Sequence, residues 1–270
     1  MNSPSIDKIG IIGVGMVGTQ VKKWFERNGE QVFAYDKHKN IGSLNEVNRA
    51  DVLFVCVPTP YKEKNEYDLS ILEKVIDEID NGKVVVIKST VNPGTTDYFQ
   101  QKYPKKTFLF NPEFLTELTA EQDFQNPDMQ ILGVPYQGYE IASKLMLVLP
   151  RSPVMRIVSP IDAEWIKKAR NAFYALKVIF FNQLYDIVVK NSPADYETIR
   201  NVMVEDPRIG NSHSFIFHKN YRGFGGKCLP KDFYSLIEFA ERIGVQPELF
   251  RLVKSINEKL LNDQRIKDWN

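Results

Sequence analysis

The sequence predicts an α/β protein in two parts. A doubly wound domain on a parallel sheet is expected over residues 1–160, then a mainly helical domain over 161–270 built around one long central helix. Three observations carry this reading. Short β-branched runs alternate with amphipathic stretches through the first 135 residues. A glycine triplet, Gly13-Val14-Gly15-Met16-Val17-Gly18, separates the first run from the first amphipathic stretch. After Ser152-Pro153 and one more apolar run, the periodicity changes to helical and stays so.

Taken in order, strands are predicted at residues 8–12, 31–35, 52–57, 83–87, 107–110 and 129–133. Helical patterns at 16–27, 68–79 and 95–103 lie between several of them. Continuous apolar strands separated by helices describe a parallel sheet covered on both faces. A strand at 154–158 then precedes a helix over 163–190, with Asp162 as its expected N-cap. Further helices are expected at 196–204, 232–243 and 247–262. Gly244 fits a helix stop and Pro247 a first turn. There is no repeat, low-complexity tract or Gly/Ser linker, so the long helix itself is expected to join the halves.

Composition narrows the class of ligand. A length of 270 residues suits about two domains. With 43% apolar and 12% aromatic residues, a real core is affordable and disorder is excluded. The 35 Lys+Arg and 34 Asp+Glu leave a formal charge of +1. Without a basic or acidic field, neither nucleic acid nor an acidic membrane is expected as partner, and a small or medium-sized ligand remains. No stretch approaches the roughly 20 uncharged residues of a membrane span; the apolar run 172–181 is broken by Lys177. The first residues lack the basic and apolar regions of a signal peptide. Cys56 and Cys228, 172 positions apart, form neither a disulfide framework nor a metal-ligand pattern. A reduced, cytoplasmic setting and no metal are therefore expected.

The glycine triplet has the context that dinucleotide binding requires, a strand before and a helix after. The first glycine makes the tight turn, the second admits the pyrophosphate, and the third lets helix and strand pack closely, with the phosphate at the helix N-terminus. Asp36 stands at the end of the second strand, 18 residues past Gly18. An acidic residue there bonds the ribose 2′-hydroxyl, favouring NAD over NADP, although Lys37 and Lys39 nearby could accept a 2′-phosphate. The reading is a Rossmann-type NAD domain.

Two further constellations carry chemistry. Lys167 and Asn171, one turn apart on the long helix, could jointly hold an oxygen that becomes negative. With Lys168 and Arg170 beside them, the same stretch also reads as a solvated helix end. Cys228 lies in Gly223-Phe224-Gly225-Gly226-Lys227-Cys228-Leu229-Pro230-Lys231-Asp232, where glycines admit a ligand and lysines with a helix start favour thiolate. A small buried thiol is the plainer alternative. Asp232 could bond the thiol or water, or cap the helix. Cys56, inside an apolar run, reads as core. Beyond the strand ends, Pro58-Thr59-Pro60, Ser89 to Gly94 and Asn111-Pro112-Glu113-Phe114-Leu115-Thr116-Glu117 offer hydroxyls and carboxylates. Glu113 could act as a base or hold a water, and turn chemistry is the alternative.

These pieces resemble, in order, the nucleotide-sugar dehydrogenases of the UDP-glucose and GDP-mannose 6-dehydrogenase family. The matching motifs are Gly13 to Gly18, Val57-Pro58-Thr59-Pro60, Lys88-Ser89-Thr90-Val91, Asn111-Pro112-Glu113-Phe114-Leu115, Lys167-x-x-x-Asn171, Arg208-Ile209-Gly210 and the cysteine loop. The resemblance covers essentially the whole chain. It implies an NAD-dependent, four-electron oxidation of a sugar C6 alcohol to a carboxylate, through a thiohemiacetal and a thioester on Cys228. It makes Lys167 and Asn171 oxyanion stabilisers, Asp232 the helper of the cysteine, and Glu113 the partner of the hydrolytic water. Thr59, Thr90, Glu117 and Lys231 match cofactor contacts. Phe114, Leu115, Thr116, Glu117 and Gly225 match sugar-nucleotide contacts, and Arg208 an arginine reaching the neighbouring subunit's substrate. The long helix matches a homodimer contact.

The sequence also departs from that pattern. Thr116 and Met129 replace arginines, Leu118 replaces a glycine, and four extra residues stand between Arg208 and Cys228. Family members continue into a third α/β domain where this chain ends at Asn270, so a short form is expected. UDP-glucose is the expected substrate, with GDP-mannose the nearest alternative. A two-electron β-hydroxyacid dehydrogenase shares the Lys-x-x-x-Asn pair but does not need the cysteine loop. A non-catalytic NAD-binding or dimerisation module is the third reading.

Overall fold

The computed structural model describes residues 6–62, 66–190, 193–218, 220–226 and 229–266. Lys227 and Cys228, singled out above, lie outside them. The chain divides into two compact units, Met1–Lys167 and Lys168–Asn270.

In the first unit the elements run β1 (Lys8–Ile12), α1 (Met16–Arg27), β2 (Gln31–Tyr35), α2 (Leu44–Val47), β3 (Val52–Val55), the short pair β4 (Tyr61–Lys62) and β5 (Glu66–Tyr67), and α3 (Ser70–Asp77). They continue through β6 (Val84–Ile87), α4 (Thr95–Lys102), β7 (Thr107–Phe110), α5 (Ala120–Gln125), β8 (Met129–Gly133), α6 (Tyr139–Val148) and β9 (Val154–Val158). Seven strands form one sheet in the order β2-β1-β3-β6-β7-β8-β9. Strands β3 and β6 are buried at every position, as a sheet covered on both faces demands. One apolar layer gathers Val21, Phe25, Phe54, Leu109 and Leu145; the other gathers Leu53, Leu72, Val85, Phe99 and Phe108.

The sheet is mostly, not wholly, parallel. β8 pairs antiparallel with β7 through Phe110 and Gly133, and parallel with β9. The chain steps from β1 outward to β2 and back to β3 on β1's other side. Ligands of such sheets bind in the crevice outside the strand ends at that reversal.

The helix α7 (Pro160–Lys190) begins three residues before its expected start. Ser159 Oγ accepts the Asp162 N–H at 3.2 Å and donates to the Asp162 carboxylate at 2.6 Å. Ser159 is thus the side-chain cap, with Pro160 in the first turn, so Asp162 is the third helical residue and not the N-cap. By length and composition α7 could cross a membrane, a test that core helices also pass; a third of its most apolar window is buried. The sequence expectation, which took Lys177 as a break, does not mark it.

The second unit continues with α8 (Tyr196–Glu205), the hairpin β10 (Phe217–His218) and β11 (Tyr221–Arg222), α9 (Leu229–Arg242) and α10 (Glu248–Asp263). α9 starts before Asp232, because proline is tolerated in a first turn and Pro230 does not delay it. Asp232 therefore does not cap this helix.

Candidate active site

The glycine loop is fixed by three different constraints. Gly13 has φ +89°, and a Cβ there would stand 2.9 Å from the Cys56 main chain. At Gly18 a Cβ would fall 1.9 Å from the Gly13 carbonyl oxygen. At Gly15 a Cβ would meet nothing within 4 Å. Two glycines thus serve packing, and the middle one leaves open space where a pyrophosphate would approach the backbone. Met16 and Val17 open α1, with Met16 exposed and Val17 packed on the core.

Asp36 follows β2 and accepts the Val14 N–H at 2.8 Å, while its other oxygen takes the His38 and Lys39 N–H groups at 2.9 and 3.1 Å. Burial pushes its carboxyl up, but these backbone donors and the Lys39 charge outweigh it and leave the group below its ordinary value. The Lys39 ammonium donates to the Val14 carbonyl at 2.6 Å, so this cation is engaged with the loop itself. At the next strand ends, the Thr59 hydroxyl donates to the Thr90 carbonyl at 2.6 Å, bringing both predicted cofactor residues together. Cys56 packs against the core, and burial pushes its thiol up to about 12, the state of an inert structural cysteine.

Glu113 is held at three points. Its Oε1 accepts the Phe114 N–H at 2.8 Å, its Oε2 lies 3.0 Å from the Lys88 ammonium, and its carbonyl accepts from Lys167 Nζ at 2.5 Å. The Lys167 ammonium also lies 5.5 Å from the centroid of the Phe114 ring. Leu115 packs on the core, whereas Thr116 and Glu117 are exposed. The Thr116 hydroxyl and N–H both bond the Asp123 carboxylate. Leu118, where the family pattern has glycine, is 85% exposed.

In the second unit, Asn171 donates to Asp232 at 2.5 Å, with exposures of only 6% and 1%. Lys168 is also buried and donates to Ser235 at 2.6 Å. The solvated-helix-end alternative is therefore wrong: Glu164, Lys168, Asn171 and Ala175 form a buried stripe spaced four, three and four residues apart. Lys231 approaches Asp232 at 4.0 Å. Arg208 is almost fully exposed and paired with Asp206 at 2.6 Å. Gly225 is half-buried just before Gly226, whose φ is +78°.

The segment leading to Cys228 is clamped from α10. Asn257, fully buried, accepts the Phe224 N–H at 2.7 Å and donates to its carbonyl at 2.9 Å. Gln264 brackets Arg222 in the same way, at 2.8 and 3.2 Å. Gly223 between them has φ +90°, and its Cβ would stand 2.6 Å from Asn257 Oδ1.

Sequence reasoning named Lys88 within the Lys88-Ser89-Thr90-Val91 motif without giving it a role, and did not single out Glu164. Glu164 is 1% exposed and accepts from Gly94 N at 2.6 Å, Thr96 N at 2.8 Å and Thr96 Oγ1 at 2.6 Å, so it caps α4 from α7. Burial pushes its carboxyl up to about 7, against the pull of those donors. Its signal was an acidic residue on the face that also carries Asn171.

Two models of one family match this chain: the NAD-binding domain of the UDP-glucose/GDP-mannose dehydrogenases over residues 40–145, and their central domain over 161–259. The chain belongs to that family. Its cofactor is NAD, which the space at Gly15 and the acidic Asp36 fit. Among its relatives, UDP-glucose 6-dehydrogenase of Rickettsia felis is 32% identical over 225 residues, 80% of this chain and 49% of that protein. UDP-glucose 6-dehydrogenase TuaD of Bacillus subtilis is 34% identical, over 79% and 47%. The chain thus spans about half the length of these curated relatives. A UDP-glucose dehydrogenase structure from Pyrobaculum islandicum superimposes with a TM-score of 0.82 at 26% identity, covering 97% of this chain and 72% of that one.

Proposed function

We propose that this family member oxidises the C6 alcohol of a nucleotide sugar to the carboxylate, with UDP-glucose as substrate and Cys228 as nucleophile. One observation carries the reading: the buried Asn171–Asp232 bond, with Asp232 four residues past Cys228 in the chain. A buried carboxylate four positions from a cysteine supports a reading with thiol chemistry over a two-electron alcohol oxidation, which uses no thiol.

NAD, when bound, accepts the hydride in each of two oxidations. The first converts the alcohol to an aldehyde, losing a hydride from carbon and a proton from oxygen. The Cys228 thiolate adds to the aldehyde carbon, and the oxygen takes a proton. Loss of the second hydride and that proton leaves a thioester. Water, oriented by Glu113, attacks the acyl carbon; the thiolate departs and the carboxylate remains. Lys167 and Asn171 stabilise the oxygen as charge develops, and Asp232 assists the thiol. Thr59, Thr90, Glu117 and Lys231 contact the cofactor; Phe114, Leu115, Thr116, Glu117 and Gly225 contact the sugar nucleotide. Arg208 reaches a partner subunit's substrate in a cytoplasmic homodimer joined through α7. Phe173, Phe180 and Ile187, exposed by 62%, 54% and 67% at seven-residue intervals, support that contact.

The test is stoichiometry with UDP-glucose and GDP-mannose in parallel. Two NADH per sugar are expected, with Cys228→Ser unable to complete the oxidation. One NADH per substrate and a harmless Cys228→Ser would instead indicate a two-electron dehydrogenase. No turnover of either sugar, with NAD still bound, would indicate a binding module.

A further inference from the structure

Lys88 directly follows β6 with its side chain 3% exposed, and the reaction above gives it no task. An ammonium is expensive to bury and is tolerated only when paired and hydrogen-bonded. Lys88 Nζ donates to Asn111 Oδ1 at 2.8 Å, lies 3.0 Å from Glu113 Oε2, and stands 5.6 Å from the Phe124 ring centroid. Asn111 is itself immobilised: fully buried, it donates to Gln130 Oε1 at 2.9 Å and to the Ile131 carbonyl at 2.7 Å. Gln130 in turn donates to the Pro150 carbonyl at 3.3 Å. A chain of buried polar groups across β6, β7 and β8 therefore ends on one carboxylate oxygen.

That oxygen is the informative atom. Glu113 Oε2 is shielded from solvent and, despite the nearby ammonium, makes no hydrogen bond to the described residues. The ion pair holds it in place, and a buried carboxylate oxygen with no hydrogen bond from the described residues is one that a bound water would satisfy. The groups facing Glu113 are Lys88 from β6, Lys167 on its carbonyl from α7, and the Cys56 thiol beyond β3.

We propose that Lys88 is a positioning residue for the hydrolytic half of the reaction, holding the Glu113 carboxylate where it orients the water that attacks the thioester. The inference rests on the function proposed above. Lys88 touches neither substrate nor cofactor in this role. Its removal should slow deacylation and spare both oxidations.

The experiment compares the parent with Lys88→Met and Lys88→Arg, using UDP-glucose and NAD. For Lys88→Met, a rapid burst of two NADH per active site is expected, followed by a steady rate 10- to 100-fold below the parent. Mass spectrometry of the quenched enzyme should find an acyl adduct on Cys228. Lys88→Arg keeps the charge and alters the geometry, so it should slow deacylation less and leave less adduct on Cys228. A parent that yields two NADH while Lys88→Met shows no burst, no adduct and a rate within twofold would overturn the proposal and leave the dehydrogenase reading intact. A parent that turns over no nucleotide sugar would overturn that reading, and the role of Lys88 with it. If circular dichroism shows Lys88→Met unfolded, Lys88→Arg decides alone: unchanged deacylation overturns the proposal.

Discussion

At the scale of the residue, glycine illustrates how one side chain, or its lack, serves separate ends. Gly15 and Gly18 stand three positions apart in one motif, yet a methyl group at Gly18 would strike the Gly13 carbonyl and one at Gly15 would meet nothing. Gly18→Ala should therefore destabilise the protein outright. Gly15→Ala should leave its melting temperature within a degree or two and still weaken NAD binding by about tenfold or more, because the methyl fills space the pyrophosphate needs. Calorimetry of the apoproteins with NAD titration separates the two; a Gly15→Ala variant that binds NAD normally would contradict the cradle. Glu113 makes a related point. Its backbone and side chain answer to two different lysines, so substitution of either lysine disturbs a different part of one residue.

Elements bring together what single residues cannot. Glu164 reaches from α7 to the first turn of α4, replacing the missing helical partners of the Gly94 and Thr96 N–H groups. The folded carboxyl holds its proton up to about 7, whereas an unfolded one releases it near 4.5. Its contribution to stability is whole below pH 4.5 and is lost as pH rises through 7, a change on the order of 3 kcal/mol. The stability of the parent relative to Glu164→Gln should fall by that order between pH 4.5 and 8 in denaturant titrations. Parallel pH profiles for the two proteins would contradict the burial argument.

The same scale explains what could be read from the sequence. Strands β1, β2, β7, β8 and β9 lie at their expected positions because each is an apolar run closed by turn residues. α6 was passed over because its N-cap is Gly138, which offers no side-chain bond, and a 3₁₀ turn precedes it. The reversed direction of β8 has no local signature, since side-chain alternation is the same in either direction. Within the site, the glycine loop and Asp36 were legible because covalent spacing alone specifies them. Lys88 and Glu113 were not paired in advance, for they lie 25 residues apart and meet only because β6 and β7 are neighbours.

For the whole molecule, the exposed stripe on α7 bears on assembly. If Phe173, Phe180 and Ile187 seat a second copy, Phe180→Glu should shift the species seen by light scattering from twice 31.2 kDa to 31.2 kDa. It should do so with unchanged secondary structure. A parent already monomeric at micromolar concentration would remove the proposed contact.

The clamp on the cysteine segment has a meaning in time as well as in space. Asn257 and Gln264 follow the residues they bracket by 33 and 42 positions. A ribosome therefore makes Phe224 and Arg222 well before it makes their partners. The stretch leading to Cys228 is synthesised before its clamp exists, acquiring Asn257 only after α9 and over half of α10, and Gln264 only after all of α10, have been translated.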